Sequence, residues 1–119
     1  LVKKFIEKKY PSKIINCSTI RDNKSIALSS RNLLISRKSL NIASKIVKEL
    51  KIIKRSIKKQ VNFKKYLKIK SKYLTEKYQI KLEYLELRNL KNLKRSNTIN
   101  NSRIFIGYYI ENIRLIDNL

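Results

Sequence analysis

The chain has 119 residues, the size of one ordinary domain, and a hydrophobic fraction of 42%, which is typical of folded proteins. It has no His and one Cys, which excludes the usual Cys and His zinc sites, disulfide frameworks and nucleophilic triads with a His base. Thirty Lys and Arg against eight Asp and Glu give a net charge of +22, which directs attention first to nucleic acid, acidic lipid or ribosomal surfaces as partners.

The residue composition offers another origin for that charge. Lys, Ile and Asn account for 22, 19 and 12 residues, and all three are encoded by A- and T-rich codons. We therefore interpret the charge as the mark of an A+T-rich genome, with no specific nucleic acid as partner. No run approaches the ~18 apolar residues that span a bilayer, and no signal peptide is visible. We expect a cytoplasmic protein without a membrane partner.

The first 20 residues read as a helix followed by a strand. Residues 1–9 have the apolar spacing of a helix, and Pro11 ends it because its nitrogen carries no hydrogen to donate. Residues 13–18 form a short apolar run with β-branched side chains, which predicts a buried strand. Cys17 would then be a small core residue. A helix leading into a strand is the second half of a βαβ unit.

The middle of the chain predicts two amphipathic helices. Residues 19–25 are polar and turn-like, and residues 29–32 suit a loop or a helix start. From Leu40 to Ile57 apolar residues recur at spacings of three and four, with Lys on the opposite face. Ser36 or Ser39 can cap this helix. A second helix covers residues 62–78, and its aromatic side is predicted to pack in the core.

The last third of the chain predicts three strands. Residues 82–88 alternate strictly between apolar and polar, although either Tyr84 or Leu85 can face inward. Residues 103–110 and 113–119 form the other two strands, and Glu111 and Asn112 make the turn between them. The sequence thus predicts an α+β fold in which helices pack on a small, three-stranded antiparallel sheet.

The polar side chains that suggest a binding site are densest between residues 19 and 32. Ser29, Ser30 and Arg31 combine two hydroxyls with a guanidinium close to a helix start, and such groups can together bind a phosphate. Taken alone, the same residues also fit a capped helix start with a solvated Arg.

Four segments resemble, in order and spacing, the C-terminal part of the pantothenate synthetase (pantoate-beta-alanine ligase) family: Thr19-Ile-Arg-Asp, Ala27-Leu-Ser-Ser-Arg-Asn, Tyr84-Leu-Glu-Leu-Arg and Arg114-Leu-Ile-Asp-Asn. The resemblance implies a member of the nucleotidyltransferase superfamily, with a Rossmann-like N-terminal domain and a smaller C-terminal lid domain that closes over the site. Residues 1–20 would be the tail end of the nucleotide-binding domain, and residues 21–119 the lid domain.

The resemblance also implies an ATP-dependent acid–amine ligase of coenzyme A precursor synthesis. ATP, accompanied by Mg²⁺, reacts with pantoate to give pantoyl adenylate and pyrophosphate, and β-alanine then displaces AMP to form pantothenate. Ile20 matches the position whose backbone holds adenine, and Leu28, Ser29, Ser30 and Arg31 match the phosphate-binding loop. Of these, the resemblance makes Ser29, Ser30 and Arg31 catalytic. The intact enzyme would be a homodimer.

Some of the family's pattern is different or missing in this chain. Ser18 replaces a usual Pro, Asn23-Lys-Ser replaces a residue followed by Asp and Gly, and Tyr108-Tyr replaces Ala-Arg. Ser25 stands where the family usually has Gly, and we expect Ser25 to adopt the backbone angle of that Gly at a cost in free energy. The family's His-containing motif and its Gln ligands for pantoate and β-alanine have no counterpart here. We expect no pantoate, β-alanine or metal ligand in this chain.

The chain is therefore expected to be a fragment that carries about half a site and makes no pantothenate by itself. Two other interpretations stay open on the sequence. The charge fits a small basic nucleic-acid-binding protein, and the absent front half fits a decayed gene remnant.

Overall fold

The computed structural model describes residues 2–15 and 17–119, which form an α+β fold. The helices are α1 Val2–Lys9, α2 Arg37–Ser56 and α3 Phe63–Tyr78, and short 3-10 turns cover Ser30–Leu34 and Ile57–Lys59. The strands are β1 Lys81–Asn89, β2 Ser102–Ile110 and β3 Ile113–Asn118. They form an antiparallel sheet in the order β1-β2-β3. The predicted α+β class and three-stranded sheet are confirmed.

The start of the chain confirms one predicted element and corrects another. The predicted helix forms as α1, with Leu1 outside the described residues. The strand predicted for residues 13–18 is wrong: residues 13–15 and 17–20 have no regular secondary structure, Ile15 is 75% exposed, and Asn16 lies outside the described residues. A strand needs a neighbour to receive its backbone hydrogen bonds, and no strand of the described part of the chain pairs with this run. Cys17 is accordingly exposed, not a core residue.

Both predicted amphipathic helices form. Ser36 caps α2 as predicted, and Asn62 caps α3, for which no cap was predicted. The Ser36 hydroxyl accepts a hydrogen bond from the Ser39 amide at 3.2 Å and begins α2. The Asn62 side chain accepts from the Lys65 amide at 2.9 Å and begins α3. Gln79 adopts a left-handed conformation after Tyr78 and ends α3. No helix in the described residues combines the length and the apolar character that crossing a membrane requires.

A β-bulge settles the inward face of β1. The pairing with β2 shifts between Leu82 and Tyr84, so that Glu83 has no partner. This extra residue allows Leu85 and Leu87 to be buried beneath the helices, while Tyr84 lies against Gly107 of β2. Strict alternation in sequence could not decide between Tyr84 and Leu85 because a bulge interrupts the period of two.

The core lies between one face of the sheet and the two long helices. Its largest fully buried side chains come from α2, from the turn after it, from α3 and from β2: Ile46, Leu50, Ile53, Ile57, Leu74 and Ile106. Apolar burial on this scale supplies the main driving force for folding. The core holds α2 and the β2–β3 hairpin in fixed positions on either side of residues 19–36.

Glu49 of α2 joins the two long helices. Its carboxylate accepts hydrogen bonds from the Tyr73 hydroxyl at 2.9 Å, the Lys77 ammonium at 2.7 Å and the Tyr78 hydroxyl at 3.2 Å. Burial raises the pKa of Glu49, but these hydrogen bonds together outweigh burial and bring the pKa below its ordinary value. The charged form of Glu49 therefore stabilises the fold.

We predict that Glu49→Gln destabilises the chain by about 1–2 kcal/mol at neutral pH, because the amide cannot serve three donors as well as a carboxylate. Since the folded pKa lies below the unfolded value of about 4.3, the contribution is complete above that value and is lost as the pH falls through the folded pKa. Urea unfolding at a series of pH values should show the difference between parent and variant shrinking on acidification. A difference that is independent of pH would contradict this.

The only glycine of the chain, Gly107, is also predicted to be sensitive. A Cβ at this position would lie 2.6 Å from Cε1 and 2.7 Å from Cζ of Tyr84. Gly107→Ala should therefore displace the Tyr84 ring and cost about 1–2 kcal/mol in urea unfolding. In a Tyr84→Ala background the same substitution should cost much less, because nothing remains to clash. Equal costs in the two backgrounds would contradict the contact.

Candidate functional site

A small hairpin positions the predicted phosphate-binding residues. The amide of Asp22 donates to the Ile26 carbonyl at 2.9 Å, and the amide of Leu28 donates to the Ile20 carbonyl at 3.0 Å. One Asp22 carboxylate oxygen accepts from the amides of Lys24 and Ile26 at 2.9 and 2.8 Å. These local bonds fold residues 20–28 back on themselves, as an Asx turn does. The backbones of Ile20 and Leu28 consequently lie side by side.

The tip of this hairpin is attached to α2. The Lys51 ammonium donates to the Ser25 hydroxyl at 2.8 Å, and the Ser44 hydroxyl donates to the Lys24 carbonyl at 3.1 Å. Ser25 has a φ of 68°, a left-handed conformation that favours Gly over residues with a Cβ. The strained backbone angle expected at this position is thus present, and a contact from α2 accompanies it.

Residues 29–34 continue directly from the hairpin as a helix start, one of the two forms predicted for this segment. Ser29 caps the 3-10 turn Ser30–Leu34 and accepts from the Arg31 amide at 3.2 Å. The Asn32 side chain donates to the Ala27 carbonyl at 3.0 Å, which joins the turn to the hairpin. The Ser29 hydroxyl keeps its own proton for a ligand.

A groove of about 370 Å³ separates this segment from the β2–β3 hairpin. Leu28, Ser29 and Arg31 line one side of it. The facing residues come mainly from the three strands and include Tyr84, Phe105, Tyr108, Arg114 and Asp117. We call this space the groove. Two of the predicted site residues are not in its lining: Ser30 is exposed at the start of the 3-10 turn, and Ile20 is 72% exposed beside the groove.

Two arginines, Arg31 and Arg114, line the groove, and a third, Arg21, binds the groove residue Asp117. Arg21 forms a bidentate ion pair with Asp117 at 2.7 and 2.8 Å, and the hydrogen bonds that Arg21 donates to this carboxylate raise the pKa of Arg21. Arg114 pairs with Glu83 at 2.6 Å. Among the ion pairs of the described residues Arg31 has no carboxylate, and its guanidinium makes only a long, 3.5 Å contact with the Arg114 carbonyl. Arg31 is therefore the arginine left to bind an anion.

The groove does not offer a set of metal ligands. Among the described residues no three His, Cys, Asp or Glu side chains lie close enough together to hold a metal ion. The carboxylate that lines the groove, Asp117, has both oxygens engaged by Arg21. These donors therefore do not fit Mg²⁺, which prefers free carboxylate oxygens or water.

Sequence reasoning missed the two carboxylates that attach this segment to the sheet. Asp117 lies in the third predicted strand, and its partner is Arg21, 96 residues away in sequence. Glu111 was expected only to form a turn, but its carboxylate accepts from the amide and hydroxyl of Ser36 and from the hydroxyl of Ser39. Neither contact has a sequence signal, because each joins residues more than 70 positions apart.

Comparison with known proteins identifies the relatives of this chain. A family model described as "Pantoate-beta-alanine ligase" matches residues 1–119. A pantothenate synthetase of Cytophaga hutchinsonii is 32% identical over 117 residues, and the match covers 95% of this chain and 41% of the relative. A pantothenate synthetase of Flavobacterium psychrophilum is 31% identical, and the match covers 100% of this chain and 43% of the relative. The chain thus spans about two fifths of the length of these relatives.

Solved structures give the same result. A pantothenate synthetase of Thermus thermophilus superimposes with a TM-score of 0.80 at 21% identity, and the match covers 95% of this chain and 41% of that one; this likeness concerns the fold alone. A pantoate-beta-alanine ligase of Francisella tularensis has a TM-score of 0.55 at 32% identity, covering 99% of this chain and 36% of that one. That ligase was solved in complex with beta-gamma ATP and beta-alanine.

The left-handed conformation of Ser25 leads to a prediction with a built-in control. Ser25→Gly and Ser25→Ala both lose the contact with Lys51, but only the Gly variant relieves the backbone. The free energy of unfolding, measured in urea, should therefore be about 1 kcal/mol higher for the Gly variant than for the Ala variant. An Ala variant as stable as the Gly variant would show that the angle carries no strain.

Proposed function

The chain belongs to the pantoate-beta-alanine ligase family, and from this we propose that it is the C-terminal part of an AMP-forming ligase that makes pantothenate from pantoate, β-alanine and ATP. In this proposal residues 21–119 are the lid domain, and residues 1–20 are the end of a Rossmann-like nucleotide-binding domain. The activity belongs to a longer protein, in keeping with the relatives' greater length.

The observation that carries the proposal is that Ser29 and Arg31 both line the groove, and that the Arg31 guanidinium has no carboxylate partner among the ion pairs of the described residues. A guanidinium can donate two parallel hydrogen bonds to a phosphate, and a neighbouring hydroxyl can donate a third. Because carboxylates neutralise Arg21 and Arg114, the uncompensated positive charge of these three arginines lies on Arg31. That arrangement suits the polyphosphate of ATP.

The first chemical step is the formation of pantoyl adenylate. A carboxylate oxygen of pantoate attacks the α-phosphorus of ATP, a new P–O bond forms, and the bond to the departing pyrophosphate breaks. Negative charge grows on the leaving pyrophosphate as the bond breaks. Donors from Ser29, Ser30 and Arg31 that contact these oxygens stabilise the transition state more than the ground state, and so speed the step.

The second step transfers the pantoyl group. The amine of β-alanine attacks the acyl carbonyl of the adenylate, the amide bond forms, and AMP leaves. We assign Ile20 and Leu28 to ATP binding through their backbones, which the hairpin holds side by side. Movement of the lid domain onto the nucleotide would bring the residues of the groove to the phosphates and exclude water.

Several finer features belong to the same proposal. Mg²⁺ would arrive bound to the ATP phosphates, since the described residues offer no ligand set for it. The intact enzyme would be a cytoplasmic homodimer without a specific nucleic-acid or membrane partner. In this interpretation the net charge of +22 reflects composition.

The test is a substitution in an active ligase, made by joining this chain to the N-terminal portion of the Cytophaga hutchinsonii relative. Arg31→Ala should lower the rate of pyrophosphate release about 100-fold or more, because it removes a donor to the developing charge. Arg55→Ala is the matched control, since it removes the same charge from an exposed position on α2 outside the groove. Circular dichroism should show both variants folded. An Arg31→Ala variant with the kinetics of the control would contradict the proposed site.

A further inference from the structure

Asp117 attaches the hairpin of residues 20–28 to the end of β3. Its side chain is 8% exposed, and both oxygens are bound by the Arg21 guanidinium. The same guanidinium donates to the Ser25 carbonyl at 3.0 Å and to the Asn118 carbonyl at 3.2 Å. Arg21 therefore joins the stem of the hairpin, its tip and the strand end through one rigid group.

Glu111 attaches the other end of the segment to the start of β3. The turn between β2 and β3 places Glu111 and Asn112 in left-handed conformations, with φ of 51° and 62°. The Glu111 carboxylate accepts from the Ser36 amide at 2.8 Å, the Ser36 hydroxyl at 2.5 Å and the Ser39 hydroxyl at 2.8 Å. A negative charge at the N-terminus of α2 also interacts favourably with the helix dipole.

These two attachments lie on either side of the predicted phosphate-binding residues. Asp117 and Glu111 belong to one hairpin, β2–β3, and residues 29–31 lie between the two points that they bind, Arg21 and Ser36. In this interval the 3-10 turn lies beside β3 across the groove, and Arg31 extends to the Arg114 carbonyl. A segment fixed at both ends loses less conformational entropy when it binds a ligand than a free loop does.

We propose that Asp117 and Glu111 are positioning residues, which hold the two ends of the phosphate-binding segment on the β2–β3 hairpin so that Ser29, Ser30 and Arg31 are in place before the polyphosphate arrives. This inference rests on the proposed function, because it assigns how that same site is prepared. Neither carboxylate touches the ligand; each acts through the backbone that carries the donors.

The experiment uses the 119-residue chain and inorganic tripolyphosphate, followed by amide NMR at physiological ionic strength. Asp117→Asn and Glu111→Gln should each weaken the tripolyphosphate affinity measured at the amides of residues 29–31 by about 10-fold, as the loss of supporting residues around a site commonly does. Glu76→Gln is the matched control: it also removes one negative charge, from an exposed pair with Lys72 on α3. The control should bind like the parent.

A double-mutant cycle separates positioning from a general loss of stability. In an Arg31→Ala background, Asp117→Asn and Glu111→Gln should change the affinity by less than about two-fold, because the donor they position is gone. Hydrogen exchange should be faster in each variant at the Leu28 and Arg31 amides and unchanged at the amides of the core residues of α2. Should Asp117→Asn unfold the core, Glu111→Gln alone decides the question by the same readouts.

The outcomes distinguish the inference from the function on which it rests. If Arg31→Ala weakens binding while the carboxylate variants bind like the parent, the positioning role is wrong and the proposed site stands. If the carboxylate variants weaken binding equally with and without Arg31, their effect is only structural and the inference is overturned. If tripolyphosphate leaves the amides of residues 29–31 unmoved in the parent, both the proposed site and the inference are wrong.

Discussion

The ion pair between Arg21 and Asp117 is the constraint on which the arrangement of the groove depends. It joins positions 96 residues apart, and its two side chains are 21% and 8% exposed. Removing one partner of such a pair leaves the other charge partly buried and without its compensating partner. Through Arg21 the pair orients the hairpin of residues 20–28, and the hairpin determines where residues 29–31 enter the groove.

Carboxylates elsewhere in the molecule also join separate elements of the fold. The chain has only eight Asp and Glu among thirty Lys and Arg, and these carboxylates act mainly as internal attachments. Glu49 joins α2 to α3, Glu86 holds Arg88 and Arg95, and Asp22 shapes the hairpin. Cationic side chains are abundant in this chain, so a carboxylate readily finds hydrogen-bond donors nearby. The position of each carboxylate therefore determines which cationic side chains it neutralises. At the groove this selection leaves Arg31 without a carboxylate partner among the described residues.

The sequence predicts well those elements whose residues are close together along the chain. The spacing of three and four predicts α2 and α3, and the predicted cap of α2 forms at Ser36. The predicted strand at residues 13–18 fails because a strand also depends on a neighbour that local sequence does not specify. The bulge at Glu83 likewise depends on the pairing with β2, which alternation in β1 cannot reveal.

In the candidate site, too, the sequence identifies adjacent residues but not the long-range contacts that position them. Ser29, Ser30 and Arg31 are found from the sequence because they are adjacent and chemically dense. The contacts that place them are not found, since the bonds of Arg21 to Asp117 and of Ser36 to Glu111 cross most of the chain. Leu28 and Ile20 were predicted as separate members of the site, and only the fold brings their backbones together at 3.0 Å.

A crystal structure of an active ligase containing this chain, bound to a non-hydrolysable ATP analogue, would show whether Arg31 binds the phosphates. We predict that the Arg31 guanidinium lies within about 3 Å of phosphate oxygens, while Arg21 remains paired with Asp117. A structure in which the phosphates lie away from Arg31, or in which Arg21 leaves Asp117 to bind them, would contradict this prediction.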